Sequence, residues 1–242
     1  MPDLFKALGA ALGYHVVRRR KSAALAPQLE TLLAATRPDL AVDVGANDGG
    51  FARALRKAGH AGPIISFEPG AAAFAALAAA ATRDPLWEAR RLAIGACEGT
   101  ANLRVQPDAT DMASILPAAA RMARDFPRLG AAAVEETVPL ARLDTLAAEG
   151  ALRGERLLLK SDTQGYDREV LRGAEGVLRR TVAVVIELSV LPLYEDQPSY
   201  LDLLGILDAA GFAPWGLAPV SRRRDGMLIE FDALMIRRDI VG

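Results

Sequence analysis

The chain has 242 residues, 29 basic against 30 acidic, and a formal net charge of −1, so no global field draws it to nucleic acid. That length can bury a sizeable core as one α/β unit with a short extension. A single cysteine, Cys97, excludes an intrachain disulfide and fits a reducing compartment, and no segment approaches the ~18 to 20 uninterrupted apolar residues of a membrane span.

At the N-terminus Leu4, Phe5, Leu8, Leu12 and Tyr14 to Val16 fall near one face of a helix, and the basic cluster Arg18 to Lys21 follows them. Apolar before basic is the reverse of a secretory signal, so a cytoplasmic protein is expected. Residues 1–21 either cover the end of a sheet or make peripheral contact with an anionic membrane. The chain then divides into a helical extension, 1–37, and one domain, 38–242, with no internal repeat or low-complexity linker.

From Ala24 onward helix and strand alternate, which demands a mostly parallel sheet with helices on both faces. A helix over Ala24 to Thr36 precedes a strand, Leu40 to Val44, that is apolar apart from Asp43. The strand runs into Gly45-Ala46-Asn47-Asp48-Gly49 and then a helix closed by Gly59. Glycines there let the backbone pass close to a ligand, and the free amides of the helix start can meet an anionic group. A dinucleotide fold would use G-x-G-x-x-G; Asp43-x-Gly45-x-x-x-Gly49 is instead the form of S-adenosylmethionine (SAM) sites. The second strand, Pro63 to Phe67, ends in Glu68-Pro69, where a carboxylate can accept hydrogen bonds from both hydroxyls of a ribose. Asp43, Gly45, Ala46, Asn47, Gly49, Glu68 and Pro69 are therefore the cofactor candidates.

The alanine-rich helix Ala71 to Thr82 leads to a strand expected over Trp87 to Ile94, a turn, and a short antiparallel strand over Ala101 to Val105. Residues 106–133 are the least regular and are expected to form part of the substrate pocket, with a helix over Ala118 to Phe126. A strand over Val134 to Leu140 and a helix from Leu143 follow. Leu157 to Lys160 then reads as a buried strand ending in Asp162 and Gln164, with a helix over Asp167 to Leu178. On that strand Lys160 and Asp162 share a face. The next strand, Val182 to Ile186, ends in Glu187, so Asp43, Asp162 and Glu187 terminate three hydrophobic strands. Acids buried there without use would be costly. A helix over Ser199 to Ala210 and two strands, Phe212 to Leu217 and Met227 to Arg237, suggest an antiparallel hairpin at one sheet edge.

Taken together, Asp43-Val44-Gly45-Ala46-Asn47-x-Gly49, Phe67-Glu68-Pro69, Leu159-Lys160-x-Asp162-x-Gln164-Gly165-Tyr166, Ile186-Glu187-Leu188-Ser189 and Leu193-Tyr194-Glu195-x-Gln197-Pro198 resemble the FkbM family of SAM-dependent methyltransferases, from about residue 40 to 238. One departure is Ser161, where the family usually carries an apolar residue. The resemblance implies a Rossmann-like class I methyltransferase with a mostly parallel seven-stranded sheet and an antiparallel C-terminal edge hairpin. It also implies O-methylation of a hydroxyl on a sugar, a glycan or a glycosylated natural product.

A sugar hydroxyl is a poor nucleophile at neutral pH, so a base or a metal is expected. His15 and His60 do not sit at strand ends, which leaves the carboxylates: Asp162 first, Glu187 second, with Lys160 tuning or orienting the acid. Asp162 could instead bind substrate or cap the following helix, and the same acids could hold Mg²⁺. Gln164, Tyr166, Tyr194, Glu195 and Gln197 are the acceptor-contact candidates, with Trp215 beside them, and ordinary packing is the alternative for each. Rival functions are a non-catalytic SAM-binding protein, a methyltransferase acting on nucleic acid or protein, and a nicotinamide-dependent oxidoreductase. The glycine spacing speaks against the last, and near-neutral charge against a nucleic-acid partner. The sequence leaves the oligomeric state open.

Overall fold

In a computed structural model, residues 24–106, 109–125 and 133–241 are described. The expected helix within residues 1–21, with its membrane contact, lies outside them. Among the described residues no helix is long and apolar enough to cross a membrane.

The chain order is α1 (Leu25–Thr36), β1 (Leu40–Val44), α2 (Gly50–Lys57), β2 (Ile64–Phe67), α3 (Ala71–Ala81) and β3 (Trp87–Arg90). Then come β4 (Ala93–Ile94), β5 (Gly99–Gln106), β6 (Ala109–Ser114), α4 (Ala120–Asp125), β7 (Val134–Ala141) and α5 (Leu143–Ala148). The C-terminal half holds β8 (Leu157–Ser161), α6 (Asp167–Arg172), α7 (Glu175–Leu178), β9 (Thr181–Ser189), α8 (Tyr200–Ala209), β10 (Phe212–Arg222), β11 (Leu228–Arg237) and α9 (Arg238–Val241).

Seven strands form the main sheet in the order β10-β11-β9-β8-β1-β2-β3, parallel except where β11 runs antiparallel between β9 and β10. This is the Rossmann-like arrangement with its C-terminal hairpin. The chain leaves β1 outward through β2 and β3 and returns on the other side at β8, so β1 and β8 are neighbours at the point where the order reverses. Ligands of such sheets bind beyond the carboxyl ends of the strands at that point.

Side chains alternate across the sheet and thereby sort the core into two layers. Leu40, Val42, Leu157, Leu159, Val184 and Ile186 meet Leu203 and Leu207 of α8 on one face. Ala41, Leu158, Ala183, Val185, Leu234 and Ile236 meet Leu29 and Leu32 of α1 and Leu55 of α2 on the other. Each fully buried leucine stabilises the fold by about 1.5–3 kcal/mol relative to exposure. Continued to the strand ends, the same period of two puts Asp43, Lys160, Glu187 and Asp232 on the α1/α2 face.

Four features differ from the sequence expectation. Trp87 to Ile94 is two strands, because β3 pairs with β2 while β4 leaves for a second, four-stranded sheet of order β4-β7-β5-β6. The strand expected over Ala101 to Val105 extends over Gly99–Gln106 and pairs antiparallel with β7, far along the chain. Part of the irregular stretch is regular: β6 pairs with β5, and the helix there starts at Ala120, not Ala118.

The helix expected over Asp167 to Leu178 breaks into α6 and α7 at Gly173-Ala174. Gly173 lies so close to the β4 end that a Cβ would stand 1.9 Å from the Gly95 carbonyl oxygen. The Asp144 carboxylate accepts a hydrogen bond from Val177 N at 2.9 Å and holds the new helix start. By contrast α8 is bounded as expected, by a Ser199/Asp202 capping box and by Gly211 at φ +91°. Gly173→Ala is expected to destabilise the protein by ~3 kcal/mol, since the clash is with backbone and cannot be relieved by a rotamer change. Asp144→Ala should lose only ~1 kcal/mol, the worth of a helix cap. Urea unfolding that ranks the two variants in the opposite order would contradict this account of the break.

Candidate active site

The turn after β1 is built around close approach. Gly45 has φ +72°, and a Cβ on it would stand 1.8 Å from the Asp162 carbonyl oxygen at the end of β8. Only glycine lets the two strand ends meet there. Gly45 N and Ala46 N both donate to Phe67 O at 3.0 Å, which fastens the turn to the end of β2. Gly49, at φ +85°, serves packing, because the Trp87 ring fills the space where its side chain would be.

Glu68 is buried, and its two carboxylate oxygens accept hydrogen bonds from Asn47 N and Gly70 N, each at 2.8 Å. Burial pushes its pKa up, and those two amides act against the rise. Each oxygen keeps a second lone pair for a ligand hydroxyl. Before it lies a cleft whose apolar wall includes Leu92, Ile94 and Leu103. Pro69, Gln164 and Tyr166 also line this cleft. A carboxylate for two ribose hydroxyls beside an apolar slot for a purine suits the adenosyl end of SAM.

On the other side of the glycine turn lies a second cavity, lined by Phe51, Lys160, Glu187, Val220 and Asp232 as well as Ala46. Gly45, Asn47 and Asp162 line both cavities. Asp162 is therefore the carboxylate at their junction.

Lys160 organises this junction. Its buried ammonium donates to Gly45 O at 2.7 Å and stands 3.3 Å from Asp162 Oδ2 and 3.5 Å from Asp43 Oδ1. Burial alone would lower its pKa, but Asp162, Asp43 and Glu187 together outweigh that and raise it, so it stays charged. Asp43 is fully buried; Ser66 Oγ donates to its Oδ2 at 3.0 Å, and Trp87 Nε1 donates to that Ser66 oxygen at 2.9 Å. Burial raises the Asp43 pKa, opposed by Lys160 and Ser66.

Around Lys160 the acids outnumber the base. Burial, then Asp162, Glu230 and Asp232, raise the Glu187 pKa well above the carboxylate range. Burial also raises Glu230, against a hydrogen bond from Ser221. Asp232 is pushed up to about 7 by burial and then by Asp162, with Lys160 acting against it.

The remaining candidates separate. Gln164 donates through Nε2 to Asp162 Oδ1 at 3.1 Å and to Glu187 Oε2 at 2.8 Å. Tyr194 lines neither cavity but reaches Gln164 Oε1 at 2.9 Å through its hydroxyl. Gln197 is occupied by the chain itself, accepting from Leu193 N and Tyr194 N and donating to Ser189 Oγ. Glu195 is exposed, its amide bonded to Pro117 O, and Trp215 is exposed on the edge strand. Ser161 donates to Asp167 Oδ1 at 2.5 Å and so anchors the start of α6.

Sequence reasoning missed Glu230 and Asp232, although two acids two apart in an otherwise apolar strand were a legible sign that one end of one face is polar. It also missed β6, which spans the first cleft: Thr110 Oγ1 donates to Asn47 Oδ1 at 3.2 Å, and Ser114 Oγ donates to Gln164 O at 2.7 Å. The irregular stretch expected to shape the substrate pocket thus lines the Glu68 cleft. The donor set does not fit Mg²⁺: among the described residues no three His, Cys, Asp or Glu side chains converge on a metal position, and the Lys160 ammonium occupies the point between Asp43 and Asp162.

Comparison with known proteins gives one family. The sequence profile described as Methyltransferase FkbM domain matches residues 43–214. No curated protein sequence matches the chain. Among solved structures, the FkbM methyltransferase from Methylobacillus flagellatus KT aligns at 13% identity and TM-score 0.48, over 82% of this chain and 43% of that one. This chain thus spans less than half of the length of that protein. The magnesium protoporphyrin IX methyltransferase (ChlM) from Synechocystis PCC 6803, solved with bound SAM, aligns at 10% identity and TM-score 0.47, over 96% and 90% of the two chains.

The Asp232 pKa has a consequence for stability. Its carboxyl ionises near pH 4 in the unfolded chain but holds its proton to about pH 7 in the fold. The native state therefore binds more protons in that window, and this contribution to stability is full below pH 4 and lost as pH rises through 7. Asp232→Asn should be more stable than the parent at pH 8 and should flatten the pH slope between 4 and 7. Urea midpoints across that range check this, and parallel curves for the two proteins would refute it.

Proposed function

The chain belongs to the FkbM methyltransferase family, and from that premise we propose that it methylates a hydroxyl group on a sugar, glycan or glycosylated natural product. SAM supplies an electrophilic methyl group on a sulfonium, which transfers by in-line displacement. The observation that carries the reading is Asp162 at the junction of the Glu68 cleft and the acid-lined cavity.

Glu68 would hold the ribose and the Leu92/Ile94 wall the adenine, which leaves the second cavity for the acceptor. There Asp162 would take the hydroxyl proton as the acceptor oxygen bonds to the methyl carbon and the methyl–sulfur bond breaks, leaving S-adenosylhomocysteine. Lys160 on Oδ2 and Gln164 on Oδ1 hold its carboxylate in one orientation. Glu187 is the second candidate for the base; burial and the neighbouring acids raise its pKa, which favours its protonated form more than that of an ordinary carboxylate. The carboxylates of this cavity can accept hydrogen bonds from neighbouring hydroxyls of a polyol, and they repel phosphorylated or carboxylated acceptors. Repulsion of a phosphate backbone also argues against a nucleic-acid acceptor.

Glu68→Gln should weaken SAM binding by about 10- to 100-fold, the worth of hydrogen bonds to a charged group. Calorimetry showing unchanged affinity would remove Glu68 from the cofactor site. Asp162→Asn should lower turnover by ~10²–10⁴, the range for a general base, and leave SAM affinity unchanged. The assay is mass spectrometry of cell-surface glycans and glycosylated metabolites incubated with enzyme and SAM, read as the gain of one methyl group. Full activity in Asp162→Asn would take the base role from Asp162, and no methylation of any neutral glycan or glycoside would contradict the acceptor class.

A further inference from the structure

We propose that Tyr194 is a positioning residue, whose hydroxyl fixes the side-chain amide of Gln164 so that both amide hydrogens face the carboxylates Asp162 and Glu187. The functional meaning rests on the reading that Asp162 handles the acceptor proton.

The backbone of Gln164 is pinned. It has φ +51°, its carbonyl accepts from Ser114 Oγ at 2.7 Å, and Gly165 follows at φ +92°. A carboxamide has an oxygen end and a nitrogen end of nearly equal shape, so a half-turn would keep the packing and reverse the hydrogen bonding. In one orientation Nε2 gives its two hydrogens to Asp162 Oδ1 and Glu187 Oε2, and Oε1 accepts from Tyr194 at 2.9 Å. The reverse orientation turns the carbonyl oxygen toward two carboxyl groups and leaves the Tyr194 hydroxyl facing an N–H. The acids disfavour the reverse, and the hydrogen bond that Tyr194 donates to Oε1 holds the amide in the first orientation.

Tyr194 is itself held firmly. It is buried, it pairs with Ala118 through an isolated bridge, and its amide donates to the Gln197 side chain at 3.1 Å. Burial, and then Glu230, Glu187, Asp162 and Asp111, raise its pKa, so the phenol keeps its hydrogen at neutral pH. That one hydrogen has two acceptors in reach, Gln164 Oε1 and Met112 O at 3.1 Å. Met112 belongs to β6, so the hydroxyl joins the strand across the first cleft to the amide that clamps the carboxylates. A side chain that lines neither cavity thereby acts on the junction between them.

The test is NMR of the ligand-free full chain, following the Gln164 side-chain amide, assigned by its loss in Gln164→Leu. The amide hydrogens should exchange slowly in the wild type and about tenfold faster in Tyr194→Phe, as local order is lost. Replacing Tyr194 with 3-fluorotyrosine keeps the shape and strengthens the donor, and should slow exchange. Exchange unmoved by either replacement would overturn the proposal and leave Tyr194 a packing residue. Titration with S-adenosylhomocysteine tests the underlying functional reading separately. Failure of the wild type to bind it would overturn that reading, whereas the amide measurement decides the positioning role without any ligand.

Discussion

A buried ammonium among carboxylates is the constraint on which the site depends. Lys160 ties the carbonyl of Gly45 to Asp43 at the end of β1 and to Asp162 at the end of β8, so one side chain holds both sides of the switch point. Burying that charge costs several kcal/mol, which only good geometry and full partnering offset. The partnering is mutual: without the ammonium, Asp43 would be left fully buried with a hydrogen bond from Ser66 at one oxygen and nothing at the other. The lysine also accounts for the acids around it, since Asp43, Asp162, Glu187 and Asp232 occupy one end of one face of the sheet and repel one another.

The fold supplies the place for this arrangement. The reversal of strand order puts β8 beside β1, glycine at position 45 lets their ends touch, and the turn divides the space above the sheet into two cavities. The four-stranded second sheet closes one of them, because β6 is bonded to the glycine turn at one end and to Gln164 at the other. On the opposite side the wall is α2 and the start of α1, with Leu25, Phe51 and Ala54 facing the acids. Two ligands can thus approach one carboxylate from two directions, which is the geometry a group transfer requires.

Much of this was legible in the sequence, and the limits have physical causes. The strands carrying Asp43, Glu68, Asp162 and Glu187 are continuous apolar runs ending in an acid, and that pattern survives any packing detail. Gly45 was read as letting the backbone pass close to a ligand, whereas the close approach that the structure shows is to the Asp162 carbonyl, a contact between residues far apart in the chain. The same separation hid the second sheet: β5 pairs with β7 across an interval that shows no periodicity of its own. Local signals also misled at Asp167 to Leu178, where an unbroken helical pattern is cut by the backbone of Gly95. Tyr194 and Gln197 illustrate another limit. Aromatic and amide side chains are equally suited to binding a sugar and to bonding their own chain, and here both spend their polar atoms inside the protein.

The central claim is that Asp162 stands where the cofactor cleft and the acceptor cavity meet. A crystal structure with S-adenosylhomocysteine bound tests it most directly. The account predicts the ribose hydroxyls on Glu68, the adenine against Leu92 and Ile94, and the sulfur turned toward the Asp162 carboxylate with the acid-lined cavity open beyond it. A complex with the ribose away from Glu68, or with the sulfur cut off from Asp162 by the glycine turn, would contradict it.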